Sequence, residues 1–502
     1  MINTLSRLGD SRLFEPLLPR AYHPSNLKLG KNAMRKDTQN RKCKSKKISR
    51  KVQLKLPKHL KHINKMAAGI DVGSKSHFVA VPEGCDEITV REFLSFTSDL
   101  HALVDWLEEC GIETIAMEST GVYWIPLYEL LESRGFEVML VDARHVKNVS
   151  GRKTDVLDCQ WLQQLHTYGL LSGAFRPNEQ ICALRTYLRQ RNMLIEKTAA
   201  HVQHMQKALS QMNIQLHNVI GDITGQTGLK IIRAIIQGER NTKVLASYRD
   251  RRCKNPIEII EKSLEGSYRD ENIFSLQQAV DLYDYYRNKI QECDDRIEKE
   301  LSQFETKKEI TEEDLATLSM KRKASNKNAP QFNLKAHLIR LSGVDLTAIP
   351  GIEAYTGLKI ISEIGLDMNR WKSGKQFASW VGLCPGNKVS GGKQLSGKSK
   401  RTANRAAAAL RMAASTLYNS KSALGAFLRR LKSRLGSPKA ITATAHKLAL
   451  IVFNMLKNGR NYFETGQDYY EQQYRKRLVR NLNTRAKELG FLLIEAPINS
   501  NG

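Results

Sequence analysis

Two aspartates stand three positions apart at the start of an apolar-periodic run, in KTDVLDCQWL over residues 153–162. On a helix, positions i and i+3 share a face, so Asp155 and Asp158 point the same way at close range. Like charges held together destabilise a fold unless water or a cation lies between them. Two more carboxylates fall at the ends of apolar runs: Asp71 near the end of AAGIDV, and Glu118 in IETIAMES. Four hard oxygen donors with no His or Cys suit Mg²⁺ rather than zinc. Two such ions about 4 Å apart activate an attacking oxygen and stabilise a leaving one at a phosphodiester. Arg152 and Lys153, directly upstream, are placed to hold phosphate. Plainer roles are open to each acid taken alone. An Asp after a strand is usually a turn former, and Asp155 also suits the first turn of a helix.

A second stretch offers different chemistry. KVSGGKQLSGKSKRTANR sets Ser390 before two glycines and a dense basic run. Glycine beside a serine gives the backbone room to approach a phosphate. A serine that attacks phosphorus stores the broken bond in a phosphoserine linkage, so rejoining needs no ATP. Lys393, Lys398, Lys400, Arg401 and Arg405 are placed to neutralise charge in such a transition state. Composition alone equally describes a basic loop that grips backbone phosphate, and Ser396 and Ser399 are competing nucleophiles.

Positioning these groups requires several kinds of element. From residue 67 the runs AAGIDV, SHFVAVP, ITVREFLSF, IETIAMES and FEVMLVDA read as strands. SDLHALVDWLEECG reads as an amphipathic helix with Ser98 as its cap and Gly111 as its stop, and VYWIPLYELLESRG as another. The order β-β-β-α-β-α-β-α predicts a mixed sheet with helices on its faces. Residues 181–216 form a helical pattern free of Pro and Gly, and a second such pattern spans about 273–305. Together 176–330 reads as an antiparallel coiled-coil hairpin with a small insert near 220–270 and a polar linker after 305. LTAIPGIEAYTGLKIISEIG suggests a helix-hairpin-helix, whose glycine turn lets backbone N–H groups meet DNA phosphate. Alanine-rich helices follow. The predicted divisions are a basic extension at 1–66, an α/β domain at 67–175, the helical region at 176–330, a mainly α-helical domain at 331–465 and a tail at 466–502.

Charge narrows the partner. Across 502 residues, 79 Lys and Arg face 51 Asp and Glu, a formal net charge of +28. A surplus of that size points to a polyanion, whose counterions are released on binding. No apolar run is long enough to span a bilayer, and no signal-peptide core stands near the N-terminus. The eight cysteines form no C-x-x-C pair, so neither a zinc site nor a disulfide framework is indicated, and a cytoplasmic setting fits. Residues 1–66 are nearly a polycation. They read as a disordered tail, as sequence upstream of a true start at Met66, or as a nucleic-acid-binding arm.

These stretches resemble the transposases of the insertion sequence 110 family, the RNA-guided bridge recombinases. The likeness covers roughly residues 67–465. It rests on AAGIDVGSKSHFVAVP, AMESTGVYWIPLYELLE, GRKTDVLDCQWLQQL, AHVQHMQKALSQMN, IPGI, SGGKQLSGKSKRTANRAAAALRMAA and ITATAHKLA. The resemblance implies an RNase H-like (RuvC-like) domain whose Asp71, Glu118, Asp155 and Asp158 hold Mg²⁺. A coiled coil and a domain with a nucleophilic serine follow, and the family motif falls on Ser390 rather than Ser396 or Ser399. It further implies a dimer or tetramer, nucleoid-associated in a bacterial cytoplasm. There a non-coding bridge RNA pairs with donor and target DNA, and metal centre and serine come from different protomers. One departure is the position of the first aspartate, which in the family lies close to the N-terminus.

The expected activity is therefore DNA transposition by strand cleavage and rejoining. Two alternatives stay open: a junction-resolving nuclease that hydrolyses with water, and a nucleic-acid-binding protein whose RNase H-like domain is inactive.

Overall fold

A computed structural model describes residues 62–141, 155–311, 327–399, 402 and 404–494. The chain divides into two compact units, residues 1–175 and 176–502.

The first unit is built on a mixed five-stranded sheet in the order β3-β2-β1-β4-β5. Its strands are β1 Ala67–Val72, β2 Ser76–Ala80, β3 Val90–Leu94, β4 Thr114–Glu118 and β5 Glu137–Val141. β2 runs antiparallel to both of its neighbours, β1 and β3, while β4 and β5 run parallel to β1. The two central strands are buried almost throughout, which their unbroken apolar runs require of a sheet covered on both faces. Ala68, Ile70, Ile115 and Met117 turn to one face, where they pack with Leu103, Leu107 and Leu131. Those last residues belong to α1 (Thr97–Glu109) and α2 (Trp124–Ser133). The other face takes α3 (Asp155–Thr167), whose Trp161 and Leu162 pack with Ala116 and Val141.

The predicted cap of α1 is displaced. Phe96 holds the N-cap position with extended backbone, and Ser98 lies inside the first turn, its hydroxyl turned to Asp99. The strand β3 ends at Leu94, so the helix begins as soon as the chain has turned, before the serine is reached. Gly111 does end the helix, at φ 65° just past Cys110.

The second unit begins with two long helices, α4 (Glu179–Gln211) and α9 (Asp270–Gln303). They lie antiparallel: Met205 and Leu209 near the end of α4 share a core with Leu276 and Val280 near the start of α9. Short helices α5 (Leu216–Val219), α6 (Gln226–Ile236), α7 (Thr242–Ser247) and α8 (Ile257–Ser263) fill the connection and close over the same core. Midway along the pair Arg191, 1% exposed, meets Asp294 at 2.5 and 3.2 Å and donates to the Asn328 carbonyl. A guanidinium so far from water is tolerated because a carboxylate in forked geometry faces it.

After α10 (Leu334–Ser342) come α11 (Ala354–Ile364) and α12 (Gly374–Val381), then the hairpin β6 (Lys388–Ser390) and β7 (Lys393–Ser396). The C-terminal helices are α13 (Arg405–Thr416), α14 (Ala423–Leu435), α15 (Ser437–Asn458) and α16 (Gly466–Glu488). Arg185 of α4 donates to the carbonyls of Ser362 and Glu363 at the end of α11, satisfying groups that the helix itself cannot. The Pro-Gly turn expected to face DNA has a packing duty. Gly351, at φ 85°, is bounded by α13, and a Cβ there would stand 2.6 Å from the Ala413 carbonyl oxygen. Before this turn lies a 3₁₀ segment, Leu346–Ala348, in place of a full helix.

Candidate active site

Three contacts fix how α3 lies on the sheet, and with it the acids. At one end, the Thr114 hydroxyl donates to the Glu137 carbonyl and therefore accepts from Nε2 of His166, 2.9 Å away. In the middle, Gly69 brings β1 against the backbone of α3, where any Cβ would run into Gln163 N and the Cys159 carbonyl. A glycine inside a strand marks such a backbone approach. The third contact is the packing of Ala116 with Trp161 and Leu162. Since His166 meets the start of β4, the first turn of α3 lies toward the other end of the sheet, where β1 and β4 finish.

Register completes the placement. Gly69 stands beside Ala116 and Ile70 beside Met117, so one further step sets Asp71 beside Glu118. Side chains alternate along a strand. Asp71 and Glu118 therefore share the face of Gly69 and Ala116, the face that α3 covers. Glu118 is 8% exposed, and its Oε1 accepts from the Thr120 hydroxyl at 2.9 Å. Its Oε2 accepts no hydrogen bond among the described residues. Asp71 and Asp158 are half-buried and Asp155 is exposed. Beneath them lies Cys159, fully buried, its thiol pushed far up by burial and then by the negative charges of Asp71 and Asp158. Both acids thus act on one buried atom of α3, and the thiol stays protonated.

The structure accordingly brings Asp71 and Glu118 to neighbouring strand ends and turns the start of α3 toward them. It does not draw the set closed. Among the described residues no three His, Cys, Asp or Glu side chains stand close enough together to hold an ion. The expectation that all four acids meet at one point is not realised in these side-chain positions, as mutual repulsion of carboxylates favours. The donor chemistry fits a hard divalent cation: oxygen ligands, one carboxylate oxygen of a buried glutamate unengaged, and the nearest thiol neutral. Arg152 and Lys153 lie outside the described residues.

The serine stands in a contrasting setting in the second unit. Ser390 ends β6 opposite Lys393 on β7. Gly391 and Gly392 between them have φ of 54° and 74°. Left-handed backbone at both central residues makes the two-residue turn that suits the twist of a hairpin, and side chains there are strained. Nothing lies within 4 Å of where a Cβ would stand on either glycine, so the turn is open. Ser390 is exposed, and its hydroxyl makes no hydrogen bond among the described residues. Ser396, by contrast, is half-buried and accepts from the Lys398 amide, while Ser399 forms a bridge to Pro385. Lys393, Lys398 and Arg405 are exposed. Lys400 and Arg401 lie outside the described residues.

Family models match both regions: one described as a transposase, of the DEDD IS110 type, over residues 68–214, and one described as the transposase IS116/IS110/IS902 family over residues 345–429. The chain belongs to the IS110 transposase family. It is a DNA transposase or recombinase, so its partners include DNA. The first match spans all four acids and the second spans Ser390. The DEDD type carries dependence on a divalent metal, and the sheet agrees with an RNase H-like fold. No curated protein matches the chain. Among the described residues no helix is long and apolar enough to cross a membrane.

Sequence reasoning passed over Thr120, Gly69 and the Thr114–His166 contact. Gly69 carried a signal, as a lone glycine in an apolar strand. Thr120 and His166 carried none beyond their types.

Proposed function

We propose that this transposase cuts and rejoins DNA strands through Ser390, with Asp71, Glu118, Asp155 and Asp158 holding Mg²⁺. What supports the serine most is its setting: an exposed, unengaged hydroxyl on an open two-glycine turn, inside the segment matched by the family. The Ser396 hydroxyl is half-buried and already accepts from the Lys398 amide. In the cleavage step Ser390 Oγ attacks phosphorus, a P–Oγ bond forms and the bond from phosphorus to a deoxyribose oxygen breaks. The serine loses its proton and the departing oxygen gains one, leaving a phosphodiester to the protein whose reversal reseals DNA. Lys393, Lys398 and Arg405 offset charge on the phosphate oxygens. A divalent cation held by the carboxylates supplies Lewis-acid stabilisation of that charge. Lys400, Arg401, Arg152 and Lys153 are assigned to DNA phosphate as well.

We further assign site selection to a non-coding bridge RNA, and assembly to a dimer or tetramer in which α4 and α9 serve as the coiled coil. In this reading one protomer's serine works with another's metal centre, on the bacterial nucleoid.

The decisive test is Ser390→Ala. Because Ser390 is exposed, the variant should fold normally, yet cleave at least about a thousandfold more slowly and trap no protein–DNA adduct. Cleavage at full rate would remove the serine mechanism. Asp158→Asn and Glu118→Gln should each abolish Mg²⁺-dependent cleavage. Sequencing of RNA that co-purifies with the protein tests the guide.

A further inference from the structure

We infer that the C-terminal half of α16 is a duplex-DNA contact, a cationic helix that lies in the major groove. The inference does not rest on Ser390 or on the carboxylates. Helix α16 falls beyond both segments matched by the family, which end at 214 and 429.

Residues 466–502, read from sequence as a tail, open with a helix of 23 residues, none of them buried. Its first half is anchored on α14. Arg430 lies over the rings of Tyr474 and Tyr470, 3.3 and 5.3 Å from their centroids, and Arg429 donates to Gln467 at 2.6 Å. Beyond Tyr474 the helix is exposed except at Asn483 and Ala486, and Arg477 still lies close enough to Lys447 of α15 for their charges to repel. The stretch RKRLVRNLNTRAK, residues 475–487, contains no acidic residue. Arg475, Lys476, Arg477, Arg480, Arg485 and Lys487 are all exposed, and none joins an ion pair among the described residues.

Their spacing decides what kind of polyanion fits. At about 100° per residue the six cations fall all around the helix rather than along one stripe. A helix that rests on a flat anionic surface uses one face. A helix within a groove meets phosphates on both flanks. The major groove of B-form DNA, about 12 Å wide, admits an α-helix, whereas the major groove of A-form RNA is too narrow. Residues 475–487 give roughly 20 Å of helix, enough to follow a groove for several base pairs. Leu478, Val479 and Leu482, exposed by 42, 46 and 48%, offer apolar contact to thymine methyls. A second copy of α16 on this surface would set cation against cation.

The full chain is titrated by fluorescence anisotropy with a B-form DNA duplex of about 20 base pairs and with an RNA duplex of equal length. Lys476→Gln, Arg477→Gln, Arg480→Gln and Arg485→Gln are then combined. The expected result is at least about a tenfold loss of DNA affinity near 0.15 M salt, and a salt slope shallower by roughly 2 to 4. RNA duplex affinity should be unchanged. Arg477→Lys with Arg480→Lys should keep the original slope, separating charge from damage to the helix. Unchanged DNA affinity and slope would overturn the inference. So would an equal loss for the RNA duplex, or a change of mass in light scattering with DNA affinity intact, which would mean that the helix holds a second copy.

Discussion

The strand ends that carry Asp71 and Glu118 and the hairpin that carries Ser390 are built on opposite terms. Strands β1 and β4 have partners on both edges, are covered on both faces, and are pressed by α3 so closely that Gly69 has no room for a side chain. The hairpin has two short strands, an open turn, and a serine exposed to solvent. Carboxylates that bind one ion need fixed places, because small displacements spoil ligand geometry. A nucleophile that must reach a phosphate inside a bulky nucleic acid needs exposure and backbone clearance more than rigidity. The two regions divide these demands.

The largest way to break the contrast is Gly69→Val. The added carbons would displace α3 from β1, taking the first turn with Asp155 and Asp158 away from Asp71 and Glu118. Overpacking of this kind destabilises by about 1–3 kcal/mol or more, and here the neighbour is backbone, which yields least. A clear fall in the melting temperature of the first unit, with cleavage lost, is expected. An unchanged melting curve would mean that α3 does not lie on β1 as described.

Cys159 sharpens the same side. Its thiol is buried, and its pKa is raised by that burial and by Asp71 and Asp158. In the unfolded chain it ionises above about pH 8.5. The native protein then binds the extra proton, so the associated stability is complete below that pH and is lost as pH climbs above it. At pH 10 the thiol should lower stability relative to pH 7 by about 2 kcal/mol. Cys159→Ala, compared with the parent in denaturant melts at both pH values, should lose that difference while keeping every other alkaline effect. Equal pH dependence in the two proteins would place the thiol in water.

The packed region was also the legible one. The run AAGIDV becomes β1 to the residue, and the run IETIAMES contains β4 but overshoots it by two residues at the start and one at the end; strands buried on two faces are written as unbroken apolar runs. Asp71 and Glu118 at their ends could be read from the same runs. The mutual distances of the four acids could not, since these depend on side-chain positions and on charges that repel. Ser98 failed as a cap because the end of β3, and not local hydrogen-bonding preference, sets where α1 begins. Gly351 carried the pattern of a phosphate-binding turn, but its contact with Ala413 joins residues far apart in sequence. Helix α16 was missed because its short apolar strip, Leu478, Val479 and Leu482, is set among so many charged and polar residues that the stretch reads as a polar tail.

The smallest expected effect lies in the open region and uses Gly391→Ala. At φ 54° the glycine occupies backbone that an alanine adopts at a penalty of about 1 kcal/mol. No neighbouring atom obstructs the methyl group, so strain is confined to the turn. Because the hairpin stands outside the buried core, the global melting temperature should move by a degree or two at most. The turn itself should feel the change, since Ser390 and Lys393 keep register only while both glycines hold left-handed backbone. Amide exchange at Lys393 should therefore quicken, and strand cleavage should fall severalfold, with DNA affinity nearly unchanged. A large loss of global stability from this one methyl would show that the hairpin is bound into the fold as tightly as the sheet, and the division of labour between the two regions would fail.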